Sequence, residues 1–205
     1  MTNPLPTMAQ QMAHRTFPFA AFAALGLVAG LGLSSAARAD QKLLPAQSDI
    51  VFVSKQMGVP VEGHFKKFDA QVAFDPAKPE AAKISLSVDV ASGSMGDPLV
   101  DAELAKPGWF GAAKYPQATF QSTQVKALGG GKFEVAGKLA LKGVTQALKF
   151  PVTLSTNGTT TLASGTVPIQ RTTFHIGDGE WSDTSLVADE VQIKFKFALS
   201  GVGKF

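Results

Sequence analysis

From Val191 to Leu199 apolar and polar residues alternate without a slip. Val191, Ile193, Phe195, Phe197 and Leu199 share one parity. Gln192, Lys194 and Lys196 share the other, with Ala198 neutral between them. Successive side chains of a strand point to opposite faces, so this segment predicts a strand with one oily face and one wet face. Such a strand belongs to a sheet that covers something apolar on one side and meets water on the other. The pattern recurs along the chain, and no long amphipathic helix is available to fill the space behind it. The interior must therefore hold either its own side chains alone or a greasy ligand as well.

The first 39 residues are expected to stand outside this fold. Arg15 precedes an apolar run from Phe17 to Leu33, and Ala37-Arg38-Ala39 makes a small-x-small cleavage site before Asp40. That is the layout of a secretory signal peptide, and it places the mature chain, 40–205, in the periplasm. The competing reading, an uncleaved anchor, is disfavoured because the run is short for a membrane-spanning helix. Residues 40–205 amount to one domain, long enough to bury a real core. The whole chain carries nineteen basic and sixteen acidic residues. Since Arg15 and Arg38 fall in the leader, the remainder is close to neutral. Its lysines are spread along strands without a dense patch, which excludes nucleic acid as an expected partner. Cysteine is absent. A lipid-modified N-terminus, a thiolate metal site, an iron–sulfur cluster and a Cys nucleophile are thereby excluded.

Turn signals punctuate the rest of the chain at short intervals, which is the rhythm of an all-β domain. Strands are predicted near 48–57, 61–74, 84–90, 116–127, 132–142, 147–155, 159–170 and 191–199. In the second, the phase of the apolar residues changes between Phe65 and Phe68, which predicts a bulge at Lys66–Lys67. Gly129-Gly130-Gly131, Gly143 and Asn157-Gly158 mark hairpins. Asp97 followed by Pro98 predicts a short helix reaching about Lys106, ended by Pro107-Gly108. Eight strands with short connections suit an antiparallel barrel, of a size that side chains can fill or that can hold one small ligand.

Several stretches, in this order and spacing, resemble the YceI-like family of exported lipocalin-like proteins. They are the opening strand Ser48 to Ser54; Gly63-His64-Phe65 with Phe68; Asp101-Ala102-Glu103-Leu104, Trp109-Phe110, Tyr115-Pro116 and Thr119-Phe120-Gln121-Ser122; Gly137-Lys138-Leu139 through Leu141-Lys142-Gly143-Val144-Thr145; and Arg171, Phe174, Ile176-Gly177 and Ala188-Asp189-Glu190-Val191. The resemblance covers nearly all of residues 40–205. It implies an eight-stranded lipocalin-like barrel with a long apolar tunnel, binding polyisoprenoids, quinone-type tails or other amphiphiles. It implies no catalytic residues. Related domains are sometimes joined to cytochrome b561-type membrane proteins, so such a cytochrome or a membrane is an expected transient partner. A homodimer stays open.

The ligand candidates are aromatic. Phe52, Phe65, Phe120, Phe150 and Phe195 sit on the inward parity, Ile193 shares it with Phe195, and Trp109 and Phe110 would close one end. An isoprenoid chain offers only dispersion and burial, which such a surface supplies. The alternative for each ring is that it simply fills the barrel. Arg171 precedes the long loop 172–188. It is expected either to meet a quinone or phosphate headgroup or to pair with a carboxylate such as Asp189 and pin the loop. Glu62 and His64 share a parity, but two scattered histidines without a carboxylate cluster make a weak metal signal. Asp178-Gly179-Glu180 with Asp183 lacks calcium-loop spacing. Ser92-Gly93-Ser94-Met95-Gly96 lacks the first glycine of a nucleophile elbow. An outer-membrane barrel would explain export and the terminal Phe205. It is disfavoured by one Tyr and two Trp, too few for two aromatic girdles. The expectation is a periplasmic carrier of a polyisoprenoid or quinone-type lipid, with that lipid as ligand and no cofactor or catalytic residue. An enzyme acting on such a lipid and an accessory protein of a membrane b-type cytochrome are the alternatives.

Overall fold

The computed structural model describes residues 41–205; the leader expected at 1–39 lies outside them. The strands are β1 (Lys42–Leu43), β2 (Asp49–Gln56), β3 (Val59–Phe65), β4 (Phe68–Ala73), β5 (Lys83–Asp89), β6 (Gly93–Ser94), β7 (Gln117–Gly129), β8 (Lys132–Leu141), β9 (Val144–Asn157), β10 (Thr160–Gln170) and β11 (Glu190–Ser200). One α-helix, α1, spans Pro98–Leu104. All pairings are antiparallel, in the order β4-β5-β7-β8-β9-β10-β11-β2-β3-β6, with β1 paired to the end of β11. The fold is the antiparallel barrel that the alternation predicts, lipocalin-like as the family resemblance implies.

The strand count differs from eight for two reasons. β1 and β6 have two residues each, too short to leave a periodic trace in sequence. The segment read as one bulged strand at 61–74 is two strands. β3 pairs β2 and β6, whereas β4 pairs β5 at the opposite end of the ladder. The phase change at Lys66–Lys67 is the point where the chain leaves one neighbour for another. It carries the sheet round on itself and closes the wall covalently.

Closure leaves a seam, because no ladder joins β4 to β1 or β2 among the described residues. Side chains bridge it. Gln41 clamps the backbone of Phe74, its Oε1 accepting from Phe74 N at 2.7 Å and its Nε2 donating to Phe74 O. The rings of Phe68 and Phe197 meet across it at 5.9 Å.

Hairpins set the register. Gln56 faces Val59 and Leu141 faces Val144, each across a two-residue turn. Both residues of these turns have positive φ: Met57 and Gly58 at 48° and 80°, Lys142 and Gly143 at 49° and 80°. That left-handed geometry matches the twist of the flanking strands. Helix α1 starts as its sequence dictates. Asp97 accepts from Leu99 N at 2.8 Å, and Pro98 occupies the first turn, where its missing N–H costs nothing. Asp101 ties the helix to β6, accepting from Ser94 Oγ at 2.6 Å and Met95 N at 2.7 Å.

The outer face of β11 is wet: Gln192, Lys194 and Lys196 are exposed. That is the opposite of the apolar band on a membrane-spanning barrel.

Candidate functional site

A cavity of about 570 Å³ occupies the barrel interior. Its volume falls within the roughly 300–1,000 Å³ of small-ligand pockets. Every strand from β2 to β11 except the two-residue β6 contributes to its lining, which is almost wholly apolar. The last strand shows what this means for packing. Val191, Ile193, Phe195 and Phe197 face inward, yet they are only half-buried, whereas Ala198 and Leu199 at the strand's end are buried. Inward residues of a filled barrel would touch neighbours on all sides; these touch the wall and face open space.

The rings stay out of that space by lying against the wall, and glycines on the adjacent strand make room for them. Phe52 is paired with Gly63, and a Cβ on Gly63 would lie 2.1 Å from Phe52 Cζ. Phe195 is paired with Gly165, where a Cβ would lie 2.7 Å from its Cζ. On Gly137 a Cβ would come within 2.3 Å of Phe120 Cζ. None of these distances is sterically tolerable, so each glycine is the socket for one ring. The rings then run in a contiguous row along the wall. Phe120 meets Phe150 at 5.5 Å, Phe150 meets Phe195 at 5.9 Å, and Phe195 stacks on Phe197 at 5.1 Å. A second cluster joins Phe52, Phe65 and Phe110 at 5.3 to 6.2 Å.

At one end the long loop 172–188 crosses the barrel. Trp181 on this loop packs on Trp109 at 5.8 Å. Leu99 and Val100 of α1 line the same end and are exposed, as are Met57 and Leu186 beside it. Met57 N donates to Leu186 O at 2.8 Å, which fastens the β2–β3 hairpin to the loop. The other end is sealed. Phe74 and Phe133 meet edge to face at 5.1 Å, with Leu43, Val125, Val152 and Leu154 buried there.

Arg171 is 1% exposed, and among the described residues its side chain bonds no carboxylate, which corrects the expected pairing with Asp189. Its guanidinium serves backbone carbonyls only. Nε donates to Ala188 O at 3.1 Å, one terminal nitrogen to Ile176 O and Gly177 O at 2.8 and 3.1 Å, and the other to Trp181 O and Val187 O at 2.8 and 2.7 Å. A guanidinium has five N–H donors, and all five are used. None remains for a headgroup, although the side chain borders the cavity. Arg171 frames the loop, as expected, by a different chemistry. Asp189 instead accepts from the Thr172 N–H and hydroxyl at 3.0 and 2.8 Å. Gly177 is required because a Cβ there would sit 2.5 Å from the Arg171 guanidinium.

Each remaining ligand candidate, Phe52, Phe65, Trp109, Phe110, Phe120, Phe150, Ile193 and Phe195, borders the cavity. Sequence reasoning missed Phe74 and Phe133 at the sealed end and Ser54, Leu99 and Trp181 at the mouth. Ser54 shares strand parity with Phe52, which was its only signal. His64 and Glu62 face outward. His64 Nδ1 lies 3.1 Å from Asp49 Oδ1, and Glu62 lies 3.7 Å from Lys194 Nζ. The Ser94–Asp101 contact has the look of a nucleophile and base. The bonds from Ser94 Oγ and Met95 N hold the Asp101 pKa below the usual carboxylate value, which makes it a poor base.

The YceI-like domain model matches residues 42–199. A UPF0312 protein of Pseudomonas putida (strain W619) is 35% identical over 141 residues, which cover 67% of this chain and 73% of the relative. Among solved structures, BcnA of Burkholderia cenocepacia is 48% identical with a TM-score of 0.74, covering 77% of this chain and 99% of its own. A polyisoprenoid-binding domain from Saccharophagus degradans shares the fold with a TM-score of 0.63 at 17% identity, covering 78% of this chain and 98% of its own. By the match along nearly the whole barrel, this chain belongs to the YceI-like family.

Proposed function

We propose that this protein is an exported carrier, working in the periplasm, that holds the tail of a polyisoprenoid or quinone-type lipid by shape and burial. The observation that carries the reading is the interior itself: about 570 Å³ of apolar cavity, kept open by aromatic rings laid over glycines. Burying one methylene of a lipid chain contributes about 0.8 kcal/mol, so a long tail binds firmly without polar contacts. The Saccharophagus degradans domain, described as polyisoprenoid-binding, supports the ligand class. The leader-like pattern at 15–39 supports export. The protein makes and breaks no bonds in this reading; the Ser94–Asp101 pair serves to fasten α1. The exposed apolar side chains at the mouth support a membrane surface as the partner from which the tail is drawn.

The test is native mass spectrometry of protein purified from a bacterial periplasm, with organic extraction of what it holds. A stoichiometric isoprenoid or quinone mass is expected. Protein that arrives empty and takes up no apolar probe would overturn the carrier reading. For the partner, Met57→Asp, at an exposed residue beside the mouth that does not line the cavity, should slow uptake of a prenyl lipid from vesicles while leaving the equilibrium amount bound unchanged. Equal rates for both proteins would remove the membrane surface as partner.

A further inference from the structure

Two polar atoms of the interior have nothing to bond. Among the described residues, Ser54 Oγ and Trp109 Nε1 are the buried side-chain polar atoms without a hydrogen-bond partner. Both residues line the cavity. Buried polar groups in folded proteins are ordinarily paired, so an orphan at a cavity wall points to a ligand atom. An indole N–H only donates, whereas a hydroxyl donates and accepts.

The two atoms belong to the same end of the barrel. Ser54 faces inward two residues beyond Phe52, toward the hairpin that Met57 fastens to the loop. Gln56, next on that parity, bridges to Val187. Trp109 packs on Trp181, and Arg171 holds the carbonyls of both Trp181 and Val187. The strand that carries Ser54 and the ring that carries Nε1 thus meet one loop. Charge is not on offer to a ligand there. The Arg171 donors are all spent, and Glu103, which also borders this end, is paired with Lys106 at 2.5 Å.

We propose that the mouth is a headgroup subsite for an uncharged isoprenoid head that presents an acceptor oxygen, a quinone carbonyl or a prenyl alcohol. Trp109 Nε1 donates to that oxygen and Ser54 Oγ completes its bonding, while the tail runs inward toward Phe74 and Phe133. A diphosphate head would enter with its charge and, among the described residues that line the cavity, meet no free cation. This assignment rests on the carrier reading and adds the class of head.

The experiment compares three probes that share one tail: geranylgeraniol, geranylgeranyl diphosphate and the same chain ending in hydrogen. Each displaces an apolar fluorophore from the wild-type protein, from Trp109→Phe and from Ser54→Ala. The alcohol should bind most tightly to the wild type. Trp109→Phe should weaken the alcohol by about three- to tenfold more than it weakens the hydrocarbon, the range of one neutral hydrogen bond. Ser54→Ala should act in the same direction, which keeps the test intact if Trp109→Phe disturbs the stacking on Trp181. The subsite is overturned if both variants weaken alcohol and hydrocarbon equally, or if the diphosphate binds best. If no probe binds the wild type, the carrier reading itself fails, and the subsite with it.

Discussion

The two ends of this barrel are closed by different physics. The far end is sealed by packing: Phe74 against Phe133, with Leu43, Val125, Val152 and Leu154 buried around them. The mouth is held by hydrogen bonds that converge on one buried cation. Arg171 fixes five carbonyls of the loop without filling the space beneath it. Apolar packing fills volume as it stabilises. A guanidinium bonded to carbonyls gives a loop a fixed outline and leaves the interior open. For the carrier proposed above, a packed floor and a framed, open mouth suit a chain-like ligand.

The largest expected effect tests the sealed end. Phe133→Ala should destabilise by about 3–5 kcal/mol in urea melts, the usual cost of deleting a buried Phe. Phe120→Ala, whose ring faces the cavity, should cost less and lower lipid retention instead. Equal losses would mean that the interior is packed like the far end. At the mouth, Arg171→Met should cost about 2–4 kcal/mol, since buried acceptors left unpaired are penalised by about 1–3 kcal/mol each and the loosened loop rehydrates some of them. Faster hydrogen exchange should be confined to 172–188 and the β2–β3 turn; exchange rising equally at the far end would erase the distinction. Gly63→Val should cost about 1–3 kcal/mol as an overpacked site and push the Phe52 ring into the lumen, reducing lipid capacity. Stability lost with capacity intact would show that the ring has another place to go.

The smallest expected effect is a pH dependence restricted to the mouth. Asp101 and Asp183 both have lowered pKa values, from the bonds of Ser94 and Met95 in one case and of Ser185 in the other. A carboxylate whose folded pKa lies below its unfolded one stabilises fully above the unfolded value and loses that contribution as pH falls through the folded value. The stability gap between wild type and Asp101→Asn should therefore shrink on acidification. A gap that holds constant to low pH would assign the Asp101 effect to shape alone.

The wall of the barrel was legible in the sequence, because one-sided burial writes a period of two into strands such as 191–199. The helix was legible from Asp97 and Pro98, whose chemistry is local. The join at Lys66–Lys67 was located but misread. A bulge and a change of strand partner shift the apolar phase in the same way, and only pairing tells them apart. The sockets for the rings were illegible, since Gly63 and Phe52 meet by register across strands. So was the role of Arg171. Its partners are carbonyls, which every residue carries, and a sequence shows a guanidinium only the carboxylates it could have chosen. The aromatic lining emerged from parity. The polar end did not, because what sets Ser54 apart from other strand serines is a buried hydroxyl without a partner, and burial of one atom leaves no mark in sequence.

The seam between β4 and the start of the barrel has a mechanical consequence. A cylinder laddered all the way round has a fixed circumference, since widening it means breaking backbone hydrogen bonds along a whole strand. Here the stretch of wall beside β4 has no ladder to β1 or β2, and two side-chain clasps, Gln41 on Phe74 and Phe68 on Phe197, span it. Such a joint lets the girth give by the slack of side chains while every ladder stays intact. For the carrier proposed above, tails of unequal thickness could then share one vessel, the wall yielding at this stretch and holding its girth elsewhere.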